Sequence, residues 1–338
     1  MVRESDTGKI VQRLVKLDWP IARIPTLAEH FGAVANIANA NQETNMVPII
    51  GLDNSELSSQ DNKGRPKGEL NTFASKQPSR LVSAITKALS IQSSSDIINW
   101  DLELFDTQPA QLGGIDKEFI FAPRVDDKLC SWAAIEALIS ASPSASPNTL
   151  NVVACFDDEE IGSRLRQGAH SNFLPNALSR ITSAFSPSDV PANSEIMGRC
   201  YANSFLISAD VSHAVNPNYL GSYLADHSPR LNVGVAIQAD SDGHTTTDAV
   251  SSAFLQRIAE KCGQQLQVFQ IRNDSRSGGT VGPMLSAKMG MRAVDAGLPQ
   301  LSMHSIRATI GNKDPGLGVS LFKGFFEGFE SVDEEFRS

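Results

Sequence analysis

The chain has 338 residues, 41% of them hydrophobic, with 29 Lys and Arg against 38 Asp and Glu and a formal net charge of −9. That length accommodates two domains, and that apolar content is ample for a buried core. The acidic balance argues against general nucleic-acid binding, which needs a basic stripe, and the absence of any apolar run of spanning length argues against a transmembrane segment. Met1–Asp6 has no apolar stretch of the kind a secretory signal carries. Four scattered cysteines (Cys130, Cys155, Cys200, Cys262) form no C-x-x-C pair. They suit a reducing compartment, so the cytoplasm is the expected location.

Residues 1 to about 50 alternate short apolar runs with Pro20, Pro25 and Pro48, the pattern of strands and turns. Ile21–His30 reads as an X-Pro turn entering a short helix. Ser55–Gly68 is polar and turn-rich, a surface loop by composition. Ser79–Ile91 has Leu81, Ile85 and Leu89 at helical spacing. Gln111–Gly114 reads as a junction between domains.

From Glu118 onward strands and helices alternate, which points to an α/β fold. Phe119–Ala122 is a strand ending in Pro-Arg-Val-Asp126-Asp127, and the helix after it carries Trp132, Ile135 and Leu138. Leu150–Phe156 is a nearly unbroken apolar run, as in a strand buried on both faces, with Cys155 as a small core hydrophobe. Asp157, Asp158, Glu159 and Glu160 follow it directly. Phe205–Ala209 is another apolar strand ending on an acid, Asp210. Val233–Ile237 and Leu266–Ile271 read as strands, Ala249–Cys262 as a helix, and the segment after Gly278-Gly279-Thr280 as another helix. Phe322, Phe325, Phe326 and Phe329 recur at helical spacing near the end, which fits core packing.

Three strands therefore end in carboxylates, at Asp126, at Asp157–Glu160 and at Asp210, and a late segment adds His304. Ligands of open α/β sheets gather beyond the carboxyl ends of strands. Clustered carboxylates repel one another unless protons or a cation offset them. Asp, Glu and His without a thiolate suit a hydrolytic divalent metal such as zinc. Adjacent glutamates suit a division of labour, one ligating and one acting as general base. No H-E-x-x-H, P-loop or G-x-S-x-G motif occurs, which removes those chemistries.

With these residues assembled, the chain resembles the aspartyl aminopeptidase family, the M18 metallopeptidases. The resemblance is carried by Phe-Ile-Phe-Ala-Pro-Arg-Val-Asp (119–126), Asp-Asp-Glu-Glu-Ile-Gly-Ser (157–163), Ile-Ser-Ala-Asp-Val-Ser-His-Ala-Val-Asn-Pro-Asn-Tyr (207–219), Arg-Asn-Asp (272–274), Gly-Gly-Thr-Val-Gly-Pro (278–283) and Met-His-Ser-Ile-Arg (303–307). It implies a zinc-aminopeptidase-like α/β catalytic domain, residues 116–338, and part of a mainly β dimerisation domain, residues 1–115, inserted into it. It implies two zinc ions per site, with Asp126 bridging, Glu160 and His304 completing one site and Asp210 belonging to the other. Glu159 would be the general base, and His30 would reach a neighbouring subunit's active site. The substrate would be a peptide with an acidic N-terminal residue, and the partner a second copy of the chain, the family forming dimers that assemble into dodecamers. Neither nucleic acid nor membrane is an expected partner.

The departures from the family pattern carry expectations too. The family takes a further zinc ligand from an N-terminal His-x-Asp-Ser-Pro segment, which none of the six histidines here matches. That absence implies at most about one tightly held zinc, three protein ligands sufficing for such a site, and little turnover by this chain alone. Gln238 and Asp242 stand in a stretch where the family carries basic residues that hold the acidic side chain. Asn216 replaces a usual histidine, and Asp127 and Asp158 replace usual asparagines. His213 reads as structural, and His170, His227 and His244 as surface histidines. The alternative function is a non-catalytic assembly subunit that keeps the fold without the chemistry, or a truncated gene product.

Overall fold

The structure, a computed structural model, describes residues 1–35, 40–52, 71–142, 149–186 and 194–337. The loop expected over Ser55–Gly68 lies outside the described residues. The chain forms two compact units, Met1–Thr107 and Gln108–Ser338.

In the first unit, β1 (Val2–Arg3) pairs antiparallel with β2 (Ile10–Val11). The short helix expected after Pro25 starts later and is a 3-10 helix, Glu29–Ala35. Helix α1 (Ser79–Ala88) buries Val82 and Ile85, and Ile85 and Leu89 pack with Val2 and Ile97 in a small core. Trp100 meets Phe73 edge-on, with ring centroids 5.1 Å apart, the arrangement that aromatic quadrupoles favour.

The second unit runs β3 (Gln111–Gly113), β4 (Phe119–Ala122), α2 (Val125–Ser140), α3 (Phe173–Phe185), α4 (Ser194–Ala202), β5 (Phe205–Ser208), β6 (Ser212–His213), β7 (Ala236–Ala239), α5 (Ala249–Cys262), β8 (Gln267–Gln270), α6 (Val281–Met289), β9 (Arg292–Gly297), β10 (Pro299–Gln300), β11 (Ala308–Gly311) and α7 (Asp314–Phe336). Gln111–Gly113 thus pairs with β4 as a strand. Strands β5-β9-β7-β8 form one sheet and β11-β4-β3 another, while β6 pairs parallel with β10. Within the larger sheet β5 and β9 are parallel, as are β7 and β8, and β7 runs antiparallel to β9.

Helix α7 packs on α2 and α5 over the larger sheet. Its Phe322 and Phe326 are buried, and Phe325 and Phe329 pack half-buried against the same core, as their helical spacing predicts. Phe254 of α5 stacks on Phe205 of β5 at 4.3 Å between ring centroids. On α2 the buried positions are Val125, Leu129, Cys130, Ala133 and Ala137, whereas Trp132 and Ile135 of the sequence reading face outward. Small residues on the inner face let α7 approach closely; a Cβ at Gly318 would lie 3.2 Å from that of Ala133.

Two expectations need correction. Leu150–Phe156 forms no strand ladder with any described residue. Val153 packs on the main core, and Ala154 and Phe156 on a second cluster with Leu285 and Met289. Leu150, Val152 and Cys155 are exposed. The run therefore packs its side chains into two clusters without joining a sheet among the described residues, and Cys155 is not a core residue. Strands β9 and β11, in contrast, were not legible, because β9 carries Arg292 and Asp295 and reads as polar. Asp295 is wholly buried; it accepts hydrogen bonds from the Thr246 amide and hydroxyl and the Thr280 hydroxyl, which offsets its desolvation.

A second buried carboxylate gives a pH prediction. Asp314 accepts from the Asn232 and Gly311 amides at 2.7 and 2.8 Å, and burial pushes its pKa up to about 6 from the ordinary 3.8. A raised carboxyl pKa means the folded state holds the proton more tightly than the unfolded chain. This group therefore opposes folding above pH 6, and that penalty is relieved progressively as pH falls from about 6 towards 3.8. Urea unfolding at pH 7.5 and 5.0 should show the protein gaining stability relative to Asp314→Asn at the lower pH, by an amount on the order of 1–2 kcal/mol. A pH-independent difference between the two proteins would contradict it.

Candidate metal centre

Strand pairing brings the candidate ligands together. Strand β11 is antiparallel to β4, with Ala308 opposite Ala122, so the segment entering β11 and the segment leaving β4 lie at the same end. His304 precedes Ala308 by four residues, and Asp126 follows Ala122 by four. Arg307 fixes the entry to β11 by donating to the carbonyls of Gln108, Pro109 and Phe121. The turn after the Leu150–Phe156 run supplies Glu159 and Glu160 on a single 3-10 turn, Glu159–Ile161. A Cβ at Gly168 would lie 2.3 Å from the Ser163 carbonyl oxygen, so only glycine allows that loop to fold back so closely.

One ligand atom from each of Asp126, Glu160 and His304 lies within 4.8 Å of the others. His304 Nε2 is 3.2 Å from Asp126 Oδ2 and 3.5 Å from Glu160 Oε2. Arg124, Asp158, Ser302 and His304 all have left-handed backbones, with φ of 53°, 63°, 62° and 60°. Such conformations cost free energy in residues with a Cβ and gather at functional sites. The Asp126 side chain is mostly buried, while Glu160 and His304 are open to solvent at 59% and 66% of full exposure.

Asp210 arrives beyond the end of β5 and its carboxyl is within hydrogen-bonding reach of Asp126. Five carboxyl groups thus crowd one place. Burial first, then the Glu160 charge, raises Asp126, with His304 opposing. Burial raises Asp127 to about 7. Burial, then the charges of Asp127, Asp126 and Glu159, raises Asp210 to about 9. Glu159 is raised by burial, Glu160 and Asp126. A divalent cation among Asp126, Glu160 and His304 would offset this repulsion, and two carboxylates and an imidazole fit zinc chemically.

The other predicted residues are placed as follows. Glu159 is half-buried beside Glu160. His30 is exposed on the 3-10 helix of the first unit. His213, read from the sequence as structural, lies near enough to His304 to feel its charge. It is half-buried, meets the Phe269 ring at a tilt with centroids 5.2 Å apart, and burial and the charge of His304 push its pKa down. The signal that finds it is the β6–β10 register, which sets His213 opposite Gln300, four residues before His304. Asp240, Asp242 and His244 form a second close group. His244 bonds Ser277 and Asp240, and Ser241 donates to Asn273 at 3.2 Å, so the group clasps the loops after β7 and β8.

The sequence model of the aminopeptidase I zinc metalloprotease family, M18, matches residues 1–326. The chain is 40% identical over 345 residues to vacuolar aminopeptidase 1 of Saccharomyces cerevisiae, covering 99% of this chain and 65% of that protein. It is 39% identical over 361 residues to an aspartyl aminopeptidase of Aspergillus oryzae, covering 99% of this chain and 72% of the relative. Among solved structures it resembles Chaetomium thermophilum mApe1, with a TM-score of 0.85 and 52% identity over 99% of this chain and 70% of the other. It also resembles the yeast mApe1 dodecamer, with a TM-score of 0.79 and 35% identity over 99% and 69%. The chain thus spans about two thirds of the length of the proteins it matches.

Proposed function

Because the chain belongs to the M18 family of aminopeptidase I zinc metalloproteases, we propose that it is a metal-dependent aminopeptidase that removes acidic N-terminal residues from peptides. The observation that carries this reading is the convergence of Asp126, Glu160 and His304, with Glu159 half-buried beside them. Asp126, Glu160 and His304 would hold one tightly bound zinc, and Asp210 would take part in a second, weaker site. Zinc bound there supplies Lewis acidity and an acidified water. Glu159, kept more basic than an ordinary glutamate by burial and the neighbouring carboxylates, takes the proton from the attacking water and returns it to the leaving amine.

The acidic substrate class is supported by the name of the Aspergillus relative. A homo-oligomer is supported by the dodecameric yeast structure. On this reading residues 1–115 serve dimerisation, residues 116–338 carry the catalysis, and His30 acts in a neighbouring copy. Among the described residues no helix is long and apolar enough to cross a membrane. The reading places the protein in the cytoplasm, with vacuolar delivery the alternative raised by the yeast relative's name.

The test is hydrolysis of aspartyl, glutamyl and leucyl p-nitroanilides by zinc-loaded protein, with and without a chelator. Chelator-sensitive release from the two acidic substrates, at least about tenfold above the leucyl one, corresponds to 1.4 kcal/mol of discrimination. Faster leucyl release would overturn the substrate class. Zinc bound without turnover on any substrate would favour the non-catalytic assembly subunit.

A further inference from the structure

Gln238 lies on β7, two strands away from β5 in the sheet, and is buried to 8% of full exposure. Its Nε2 donates to the main-chain carbonyl of Asp210 at 3.0 Å. That carbonyl and the Val211 N–H are the two edges of one planar peptide unit. The Val211 N–H in turn donates to the Asp210 carboxylate Oδ1 at 2.8 Å. Gln238 therefore grips one edge of the peptide plane whose opposite edge holds the carboxylate.

Gly297 makes this reach possible. The β7–β9 register sets Ala236 opposite Gly297, so Gln238, two residues on, shares a face with Gly297 as its diagonal neighbour. A Cβ at Gly297 would fall 1.6 Å from the Asp210 carbonyl oxygen. Any other residue there would push the Asp210 backbone away from Gln238. Strand β5 ends at Ser208, so the Asp210 carbonyl lies beyond the ladder and depends on a side-chain donor. An unmet buried carbonyl is costly, and the chain segment would shift to find a partner.

We infer that Gln238 is a positioning residue for the metal centre, holding the Asp210 peptide plane through the opening left by Gly297 so that the Asp210 carboxylate faces Asp126. The inference rests on the reading of Asp210 as a metal ligand. It assigns Gln238 a role in orienting protein groups, distinct from contact with a substrate side chain.

The experiment measures zinc affinity of metal-depleted protein by competition with a chromophoric chelator. Gln238→Met keeps the length and removes the donor. It should weaken zinc binding about 10–100-fold, the usual effect of removing a group that orients a ligand, while the metal-free protein still unfolds in one cooperative transition. Gln238→Glu separates positioning from charge. Added negative charge alone would tighten zinc binding, whereas loss of the donor should weaken it at pH 7.5. Unchanged affinity in Gln238→Met, or equal or tighter binding in Gln238→Glu, overturns the proposal, and Gln238→Glu decides alone should the Met variant not fold. Asp210→Asn is the control. If it weakens zinc binding while the Gln238 variants do not, only the positioning role fails; if it leaves binding unchanged, the reading of Asp210 fails and the positioning role with it.

Discussion

Glu159→Gln is expected to lower turnover of an aspartyl p-nitroanilide by about 10²–10⁴-fold, the range for loss of a positioned general base, with zinc content unchanged. Gln matches Glu in size and keeps a hydrogen-bonding end, but it cannot accept the proton of the attacking water. Glu159 is the less exposed of the adjacent pair, and burial, Glu160 and Asp126 all raise its pKa, which makes it the better proton acceptor. Glu160 instead faces His304 at 3.5 Å, in a ligand's position. The two glutamates should therefore separate by phenotype, Glu159→Gln losing rate and Glu160→Gln losing metal. Steady-state rates alongside elemental analysis distinguish them. Full turnover in a zinc-replete Glu159→Gln protein would remove it from the proton-transfer step.

Asp126→Asn should have the largest effect on metal. Of the proposed ligands Asp126 is the one nearer to His304, and the Asp210 carboxyl interacts with it too, so it stands between both proposed sites. Losing a group that merely orients a ligand costs about 10–100-fold, and losing the ligand itself should cost more than about 100-fold in zinc affinity. The same substitution should leave the metal-free protein as stable or more stable. Asp126 is one of the charges that raise Asp210 and Glu159, and a neutral amide removes that repulsion. Dialysis followed by elemental analysis, with thermal unfolding of the metal-free proteins, reads both effects. Loss of zinc accompanied by a large fall in metal-free stability would mean that Asp126 is needed for folding more than for metal.

The elements with strong local signals were legible without the structure. The helix bounds Ala249–Cys262 follow from its apolar spacing and from the Asp248 side chain, which caps the Ser251 amide. The phenylalanines of α7 sit on the core as their spacing requires. Asp126 and Glu160 stood out because carboxylates gathered after apolar runs have no packing role there, and His304 because it adds an imidazole in a late segment; the structure brings those three together. The Leu150–Phe156 run misled for a physical reason. An apolar run reports that side chains are to be covered, but a strand also needs a neighbouring backbone, which composition does not encode. Here its side chains pack into two clusters and no ladder forms among the described residues.

Sequence by itself determined the α/β alternation, the acids that follow the apolar runs and the likeness to the M18 family, because each depends on residue type within a few positions. Tertiary structure decided the rest. The pairing of Ala308 with Ala122 sets His304 beside Asp126 across 178 residues of chain. The glycine at 297 admits Gln238 to the Asp210 carbonyl. Strand β9 is buried despite Arg292 and Asp295, because Asp333 pairs with Arg292 at 2.8 Å and the Thr246 and Thr280 hydroxyls satisfy Asp295. Each of these rests on a partner far away in sequence. Local pattern can show that a charge needs a partner, but only the fold supplies the distance at which it finds one.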